Sequence, residues 1–526
     1  MKNLNKKIGL VIVALLFFQI TNAQVIFEWG SIYDGGSTDK ALLVTPAGES
    51  FIHFAGTTNV GGGTKIYTRK YSTSGILKWS RTGNTFLPGN LLFIQRDASF
   101  GTYVICVSGG SYALIKYGID GTQKWIRTIT ENPVGLKIVG SHVYTGGQSG
   151  TGFFARSYKA SNGVTEWSRV EANGRAGRGF DADNSGNIYV GGIDGSVLDE
   201  MMYIVKFNSS SLSPIWTTTY MGDDLSGRDN VHLLTVDVAG NVYVTGEIDA
   251  YGSMLANVSM AKFNSAGVNQ WKHYIRRAGG PVGAIESKLV LDWAQNPILT
   301  GQANDFYNVN PSQETSRIFV TKLNRNTGAE LFDVLPNDPL YTNTTIIETP
   351  ASCFLDQFGN IYIGGSGNNG GLTGDVRWTI TKVDGVDGSL RWIEAGSSLI
   401  GGKTNNVFVS TGGDVYLANE ETFTTSDFEV QKFSQPGGGL RLMVSDENKF
   451  SVMLYPNPSN EKFSLQLEKD LTIPNIIVYD ISGKIIEEYK NVVNGFTFGD
   501  KISPGIYFLS LISGDQRQTL RFIKTE

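Results

Sequence analysis

The chain has 526 residues, with 64 glycines, 22 tyrosines, 28 phenylalanines, two cysteines and a formal net charge of -5. That length exceeds one ordinary core, and the glycine and aromatic content points to many short strands joined by turns, hence to an all-β protein. The acidic balance and the lack of a basic stripe exclude a general nucleic-acid binder. Cys106 and Cys353 lie far apart in apolar, strand-like contexts and read as buried small hydrophobes, not as a disulfide or a nucleophile.

Lys2, Lys6 and Lys7 precede the apolar run Ile8 to Ile20, and Thr21-Asn22-Ala23 places small residues three and one before a cut ahead of Gln24. This is the pattern of a secretory signal peptide over residues 1–23. The apolar run is too short to span a bilayer and no later run is longer, so no transmembrane segment is expected in the mature protein. Trp29 follows in Ile26-Phe27-Glu28-Trp29-Gly30, with no hairpin before it. It reads as a strand without a sheet of its own.

From there a repeat takes over. Asp183-Asn184-Ser185-Gly186-Asn187-Ile188-Tyr189-Val190-Gly191-Gly192 returns at Asp237 to Gly246, at Asp356 to Gly365 and more loosely at Asp292 to Gly301. Asp bonds the backbone ahead of it, Gly-Asn accepts positive φ, and Ile-Tyr-Val suits a pleated strand, so each copy is a predicted hairpin. A strand with a central Lys and then a strand with Trp follow. The pairs are Lys70 with Trp79, Lys116 with Trp125, Lys206 with Trp216, Lys262 with Trp271 and Lys382 with Trp392. Degenerate copies place Ser157 before Trp167, Lys322 before Phe332 and Lys432 before Leu442. The aromatic positions from Trp79 to Trp392 are spaced by 46, 42, 49, 55, 61 and 60 residues, the length of a four-stranded propeller blade. Eight blades are expected, or seven if the degenerate unit near His142 is absorbed elsewhere. The Trp29 strand would complete the last blade and leave no open edge. The lysines, present in seven of the eight units, read as blade packing or as amines capping a neighbouring carbonyl.

These residues resemble the bacterial β-propeller repeat families whose copies carry D-x-x-G-N-h-Y-h-x-G, with h apolar, over roughly Gln24 to Ser445. After Pro436-Gly437-Gly438-Gly439 the pattern changes. Tyr455-Pro456-Asn457-Pro458, then Asp480 with Gly483-Lys484, then Pro504-Gly505 with Tyr507, and finally Lys524 fall in an order that closely resembles the type A sorting domain of the type nine secretion system of Bacteroidota. Its strand-and-turn pattern fits a small Ig-like β-sandwich. The resemblance implies passage through an outer-membrane translocon and a secreted or surface-attached product. The expected layout is a signal peptide at 1–23, a propeller at 24–445 and a sorting domain at 446–526. Glu461-Lys462-Phe463 departs from the family, which often has Gly before the apolar residue.

Chemistry is sparse. Asp181, Asp183, Ser185 and Gly186 imitate the start of a calcium loop, but the twelfth position is Gly192 where a bidentate Glu belongs, so the turn reading wins. His53, His142, His232 and His273 lie in separate units without metal spacing, and neither a catalytic motif nor a cofactor or metal site is evident. Loop lengths say more. The longest connections, in units five to seven, share one face and carry Asp249 and Tyr251, then Asp305, Phe306 and Tyr307, then Asn369 and Asp375. The leading expectation is a non-enzymatic propeller binding an extracellular glycan or protein there. The alternative is a secreted hydrolase or lyase acting on polysaccharide through clustered acids.

Overall fold

The structure, a computed structural model, describes residues 25–525 apart from 36–37, 48–49, 88, 151, 195–200, 212, 221–227, 251–257, 276–283, 306–314, 337–346, 369–375, 397–400, 423–425, 436–451, 456–458, 468–471, 481–484 and 514–515. The chain divides into two compact bodies, Met1–Ser410 with Val415–Ser434, and Thr411–Asp414 with Gln435–Glu526. The signal-peptide segment lies outside the described residues.

Among the described residues, the strands of the first body form eight antiparallel four-stranded sets. Blade 1 is Lys40–Pro46, Phe51–Val60, Gly63–Ser72 and Leu77–Phe86; blade 2 is Leu91–Arg96, Thr102–Ser108, Ser111–Tyr117 and Gln123–Ile129. Blade 3 is Asn132–Val139, His142–Ser149, Gly152–Lys159 and Thr165–Glu171; blade 4 is Arg175–Ala182, Ile188–Ile193, Met202–Phe207 and Trp216–Tyr220. Blade 5 is Arg228–Val236, Val242–Ala250, Val258–Phe263 and Asn269–Tyr274; blade 6 is Ala284–Leu291, Pro297–Asp305, Thr315–Leu323 and Glu330–Val334. Blade 7 is Ile347–Leu355, Ile361–Asn368, Val376–Val383 and Leu390–Ala395. Blade 8 is Gly401–Val409, Val415–Thr422 and Ser426–Ser434, with Ile26–Tyr33 as its outer strand. A single parallel pair, Ser316 with Ile347, joins blades 6 and 7. The first strand of each blade packs on the first strand of the next, and blade 8 packs back on blade 1. This is a β-propeller. The degenerate unit near His142 is a complete blade.

Middle strands carry the core. Ile188–Ile193 is buried along its whole length, whereas the fourth strand Thr165–Glu171 is exposed or half-buried. Apolar clusters form between blades as well as within them: Tyr189 and Ile204 of blade 4 pack with Val231, Val242 and Val244 of blade 5. No blade buries its faces alone, so the ring must be completed to be stable. In every first strand the pairing slips by a bulge, for example between Ala41 and Leu43, between Leu91 and Phe93 and between Thr404 and Asn406. Bulges sharpen twist, which the crowded inner edge of a blade requires.

The repeated lysines and tryptophans join blade to blade. Lys116 Nζ donates to the Ala160 carbonyl of the next blade at 3.0 Å, and Lys262 does the same to Arg325 at 2.7 Å. Trp125 Nε1 also donates to Ala160, at 3.1 Å, and its ring lies on Gly163, where an added Cβ would come within 2.7 Å of it. Gly163 has φ of 71°, so glycine is required there twice over. Trp29 completes the set. It pairs with Lys432, donates to Thr73 of blade 1 at 3.1 Å and covers Gly75. The strand expected to complete the last blade thus fills the place beside Lys432, while Leu442 lies outside the described residues.

The second body has two sheets. One contains Val452–Tyr455, Phe463–Leu467 and Phe496–Phe498; the other runs Ile485–Val493, Thr472–Asp480, Gly505–Ser513 and Gln516–Lys524. Phe463, Leu465, Phe498, Ile476, Val478, Leu509, Leu511 and Phe522 form one buried core contributed by both sheets, as in a sandwich.

Candidate functional site

Antiparallel order gives the propeller two ends. The turns between first and second strands, and between third and fourth, share one end; the remaining connections share the other.

Carboxylates at the turn end are occupied by the backbone. Asp183 Oδ1 accepts the amides of Ser185 and Asn187 at 2.9 and 3.0 Å, while Oδ2 accepts Asn187 Nδ2 and the Tyr189 hydroxyl at 2.6 and 3.0 Å. Asp237 and Asp356 repeat the pattern with Tyr243 and Tyr362. Asp181 is likewise engaged, by Lys137, the Thr235 hydroxyl and the amides of Ala182 and Val236. The calcium-loop resemblance is thus a turn that bonds itself. Burial pushes the Cys106 thiol up to about 11 and the Cys353 thiol to about 12, so both stay protonated and unreactive.

His53 stands where six of the eight blades have a Tyr at the same register position. It is fully buried against Trp79 and Phe100, and neither ring nitrogen has a partner. Burial, then Arg96 and Lys70, lower it to about 3, so it is neutral at physiological pH.

At the other end the blades differ. Second and third strands are joined by tight glycine turns in blades 1 to 3, at Gly61-Gly62, Gly109-Gly110 and Gly150, all with positive φ. Blades 4 to 7 have longer connections, from Ile193 to Met202, Ala250 to Val258, Asp305 to Thr315 and Asn368 to Val376. Of the expected site residues, Asp249 and Asp305 are placed near or at strand ends with only their backbone described. Tyr251, Phe306, Tyr307, Asn369 and Asp375 lie outside the described residues.

This end also holds a group that sequence reading missed. Asp34, Asp39 and Asp427 bring carboxylate oxygens within 4.8 Å of one another. Asp39 is buried and accepts the amides of Gly35 at 2.5 Å and Asn59 at 3.1 Å; Asp427 Oδ1 has no partner. Burial, Asp34 and Asp39 together hold Asp427 above the usual carboxylate range. Such a set has the hard-oxygen chemistry for a divalent cation. Only the pairing of the N-terminal strand with the last blade assembles it, so no local motif announces it.

In the second body, the described sorting residues tie down its C-terminal strand. Tyr507 stacks on Phe522 with ring centroids 5.5 Å apart, and its hydroxyl donates to the Ser503 carbonyl at 2.9 Å. The buried Lys524 bonds the Glu461 carbonyl, and the Thr525 amide donates to Ser459 at 2.9 Å. Pro504 immediately precedes the strand that begins at Gly505, and Asp480 pairs with Tyr507. Tyr455 ends its strand; Pro456, Asn457, Pro458, Gly483 and Lys484 lie outside the described residues.

Residues 453–525 match the family described as the secretion system C-terminal sorting domain. The protein therefore carries a type nine sorting domain and is secreted, to the cell surface or beyond. No curated protein sequence matches the chain. Among solved structures it is similar to PorZ, described as an essential bacterial surface component of the type-IX secretion system of Porphyromonas gingivalis. That likeness has 13% identity and a TM-score of 0.39, covering 92% of this chain and 69% of that one. It is similar to the Dos1 propeller at 8% identity and TM-score 0.45, over 78% and 95%. The polysaccharide lyase Uly1 is similar at 10% identity and TM-score 0.40, over 78% and 99%. Among the described residues no helix is long and apolar enough to cross a membrane.

Proposed function

We propose that this protein is a surface propeller that binds an extracellular partner, a glycan or a protein, at its loop end after the C-terminal domain has engaged the secretion translocon. In this reading residues 1–23 are the removed signal, 24–445 the binding propeller and 446–526 the sorting domain. The observation that carries it is the unequal build of the two ends. Repeated turns at one end bond their own aspartates, while the other combines long connections in consecutive blades with the crowded carboxylates of Asp34, Asp39 and Asp427. Variable connections on a rigid scaffold are where binding residues concentrate.

For a sugar-like ligand, Tyr251, Phe306 and Tyr307 supply flat apolar contact while Asp249, Asp305, Asn369 and Asp375 bond hydroxyls. Replacing Phe306 and Tyr307 together by Ala weakens binding by roughly 1–3 kcal/mol and leaves the melting temperature nearly unchanged. A glycan array and a cell-surface binding assay on wild type and double variant decide this. No ligand, or equal binding by both, removes the site.

A hydrolase or lyase reading draws support from Asp427, whose raised proton affinity suits a general acid. It requires polysaccharide cleavage that Asp427→Asn abolishes.

A further inference from the structure

The repeat builds the same cation pocket again and again. In blades 2, 4, 5, 7 and 8 a tyrosine on the second strand stands opposite the central lysine, and the ammonium lies over its ring; Lys322 of blade 6 lies over Phe332 of the fourth strand instead. Lys116 is 4.9 Å from Tyr103, Lys206 is 5.3 Å from Tyr189, Lys262 is 5.2 Å from Tyr243, Lys382 is 5.2 Å from Tyr362 and Lys432 is 5.9 Å from Tyr416. A carboxylate adds charge: Asp97 is 3.3 Å from Lys116, and Asp292 is 2.9 Å from Lys322. A carbonyl of the following blade closes the pocket, at Ala160, Arg325 or Gly385, three residues past that blade's own central position. An aromatic face, an anion and a carbonyl acceptor are the three groups that recognise a primary ammonium.

Blade 3 keeps this pocket without the lysine. Tyr144 pairs with Ser157, and Ser157 with Trp167, in the register that elsewhere reads Tyr, Lys, Trp. Ser157 is buried and too short to reach out, and a cleft of about 460 Å³ opens beside Tyr144, Trp167 and Ser209. The hairpin here is Gly140-Ser141-His142, with no aspartate; Glu166 of the fourth strand supplies the carboxylate instead. Its Oε2 accepts the Ser157 hydroxyl at 2.9 Å and lies 2.6 Å from His142 Nδ1. His142 stacks beside Tyr144 with centroids 5.9 Å apart, too far for one ring to cover the other, and is 43% exposed at the rim. Ser209, three residues past Lys206, contributes the carbonyl of the following blade, which also accepts Arg169 Nη2 at 3.2 Å.

We propose that the cleft between blades 3 and 4 binds a primary alkylammonium group, held over Tyr144 by Glu166 and the Ser209 carbonyl in the place the repeat elsewhere fills with its own lysine. The head group is the same whether it comes from a free amine or from a lysine side chain. The site is at the turn end and does not depend on any ligand at the loop end.

Saturation-transfer NMR on the full mature chain tests it, with n-butylammonium as probe, n-butanol as the uncharged control and Nα-acetyl-lysine amide as the side-chain probe. Wild type gives a butylammonium signal and none with butanol. Ser157→Lys, which restores the repeat's own occupant, and Glu166→Gln each reduce the signal at least fivefold, with melting checked for both. Acetyl-lysine amide matching butylammonium extends the ligand to protein lysines; its exclusion confines the site to free amines. Should Ser157→Lys not fold, Glu166→Gln alone decides. Three results overturn the proposal: no butylammonium signal from wild type, an equal signal from butanol, or a butylammonium signal that persists in the folded variants and so arises elsewhere.

Discussion

The two ends of the propeller use carboxylates in opposite ways. At the turn end Asp183, Asp237 and Asp356 each accept two amides, an asparagine and a tyrosine hydroxyl, so every charge is matched within a few residues of itself. At the loop end Asp34, Asp39 and Asp427 face one another, and burial together with its two neighbours makes Asp427 ionise reluctantly. One end is therefore held by local, repeated bonding that tolerates little change. The other end is assembled from distant segments and leaves one carboxylate oxygen of Asp427 without a partner.

The strongest way to break that contrast is to remove what joins the ends into a ring. Deleting residues 24–33 strips the outer strand from blade 8 together with the Trp29 contacts to blade 1. A loss above about 3 kcal/mol is expected from the buried part of Trp29 and the edge left open. A thermal melt should show a lower and broader transition; an unchanged one refutes closure by this strand.

Next in size is Asp237→Ala, which orphans the donors of its turn in a buried site and should cost roughly 2–3 kcal/mol in urea denaturation. A loss below about 0.5 kcal/mol would show that the turn end is not the lock described.

His53 sharpens the picture through pH. Its folded value of about 3 lies below the unfolded 6.5, so the unfolded chain takes up the proton first and stability falls as pH drops from 6.5 towards 3. The loss reaches roughly 3 kcal/mol by pH 4. His53→Phe should flatten that part of the stability curve, and parallel curves for variant and wild type would refute it.

The smallest effect is at the loop end. Asp427 is raised, so its ionised form is disfavoured in the folded state and its contribution worsens as pH rises through its folded value. Asp427→Asn should therefore leave stability at pH 7 unchanged or raise it by about 0.5 kcal/mol, with the gain fading in acid. A clear destabilisation would make this carboxylate structural.

Much of this was legible because it is local. The Asp-to-Tyr spacing of six residues places the carboxylate and hydroxyl of one hairpin together, and the Lys and Trp of adjacent strands pair directly, so the turn end could be read from single repeats. The orphan Trp29 was readable as a closing strand, but its match to Lys432 was not, since pairing across the whole ring carries no local signal. The bulges were invisible for another reason: they occur at Leu, His, Ser and Asn alike, because crowding at the inner edge imposes them. Glu166 escaped notice because blade 3 draws its acid from the fourth strand, where most blades have it in the first hairpin. The expected loop residues share a face by topology alone, which places connections but not side chains.

One bond defines when this protein is finished. The Ser434 hydroxyl donates to Glu28, 406 positions earlier, within the pairing that shuts the ring. Closure must then wait until almost the whole first body is free to fold, and a step joining such distant segments is slow. Until then the edge of the last blade stays unpaired. Afterwards the same strand covers that edge, and where cleavage by extracellular proteases outpaces reclosing, the lifetime of the protein is set by an unfolding rate and not by equilibrium stability.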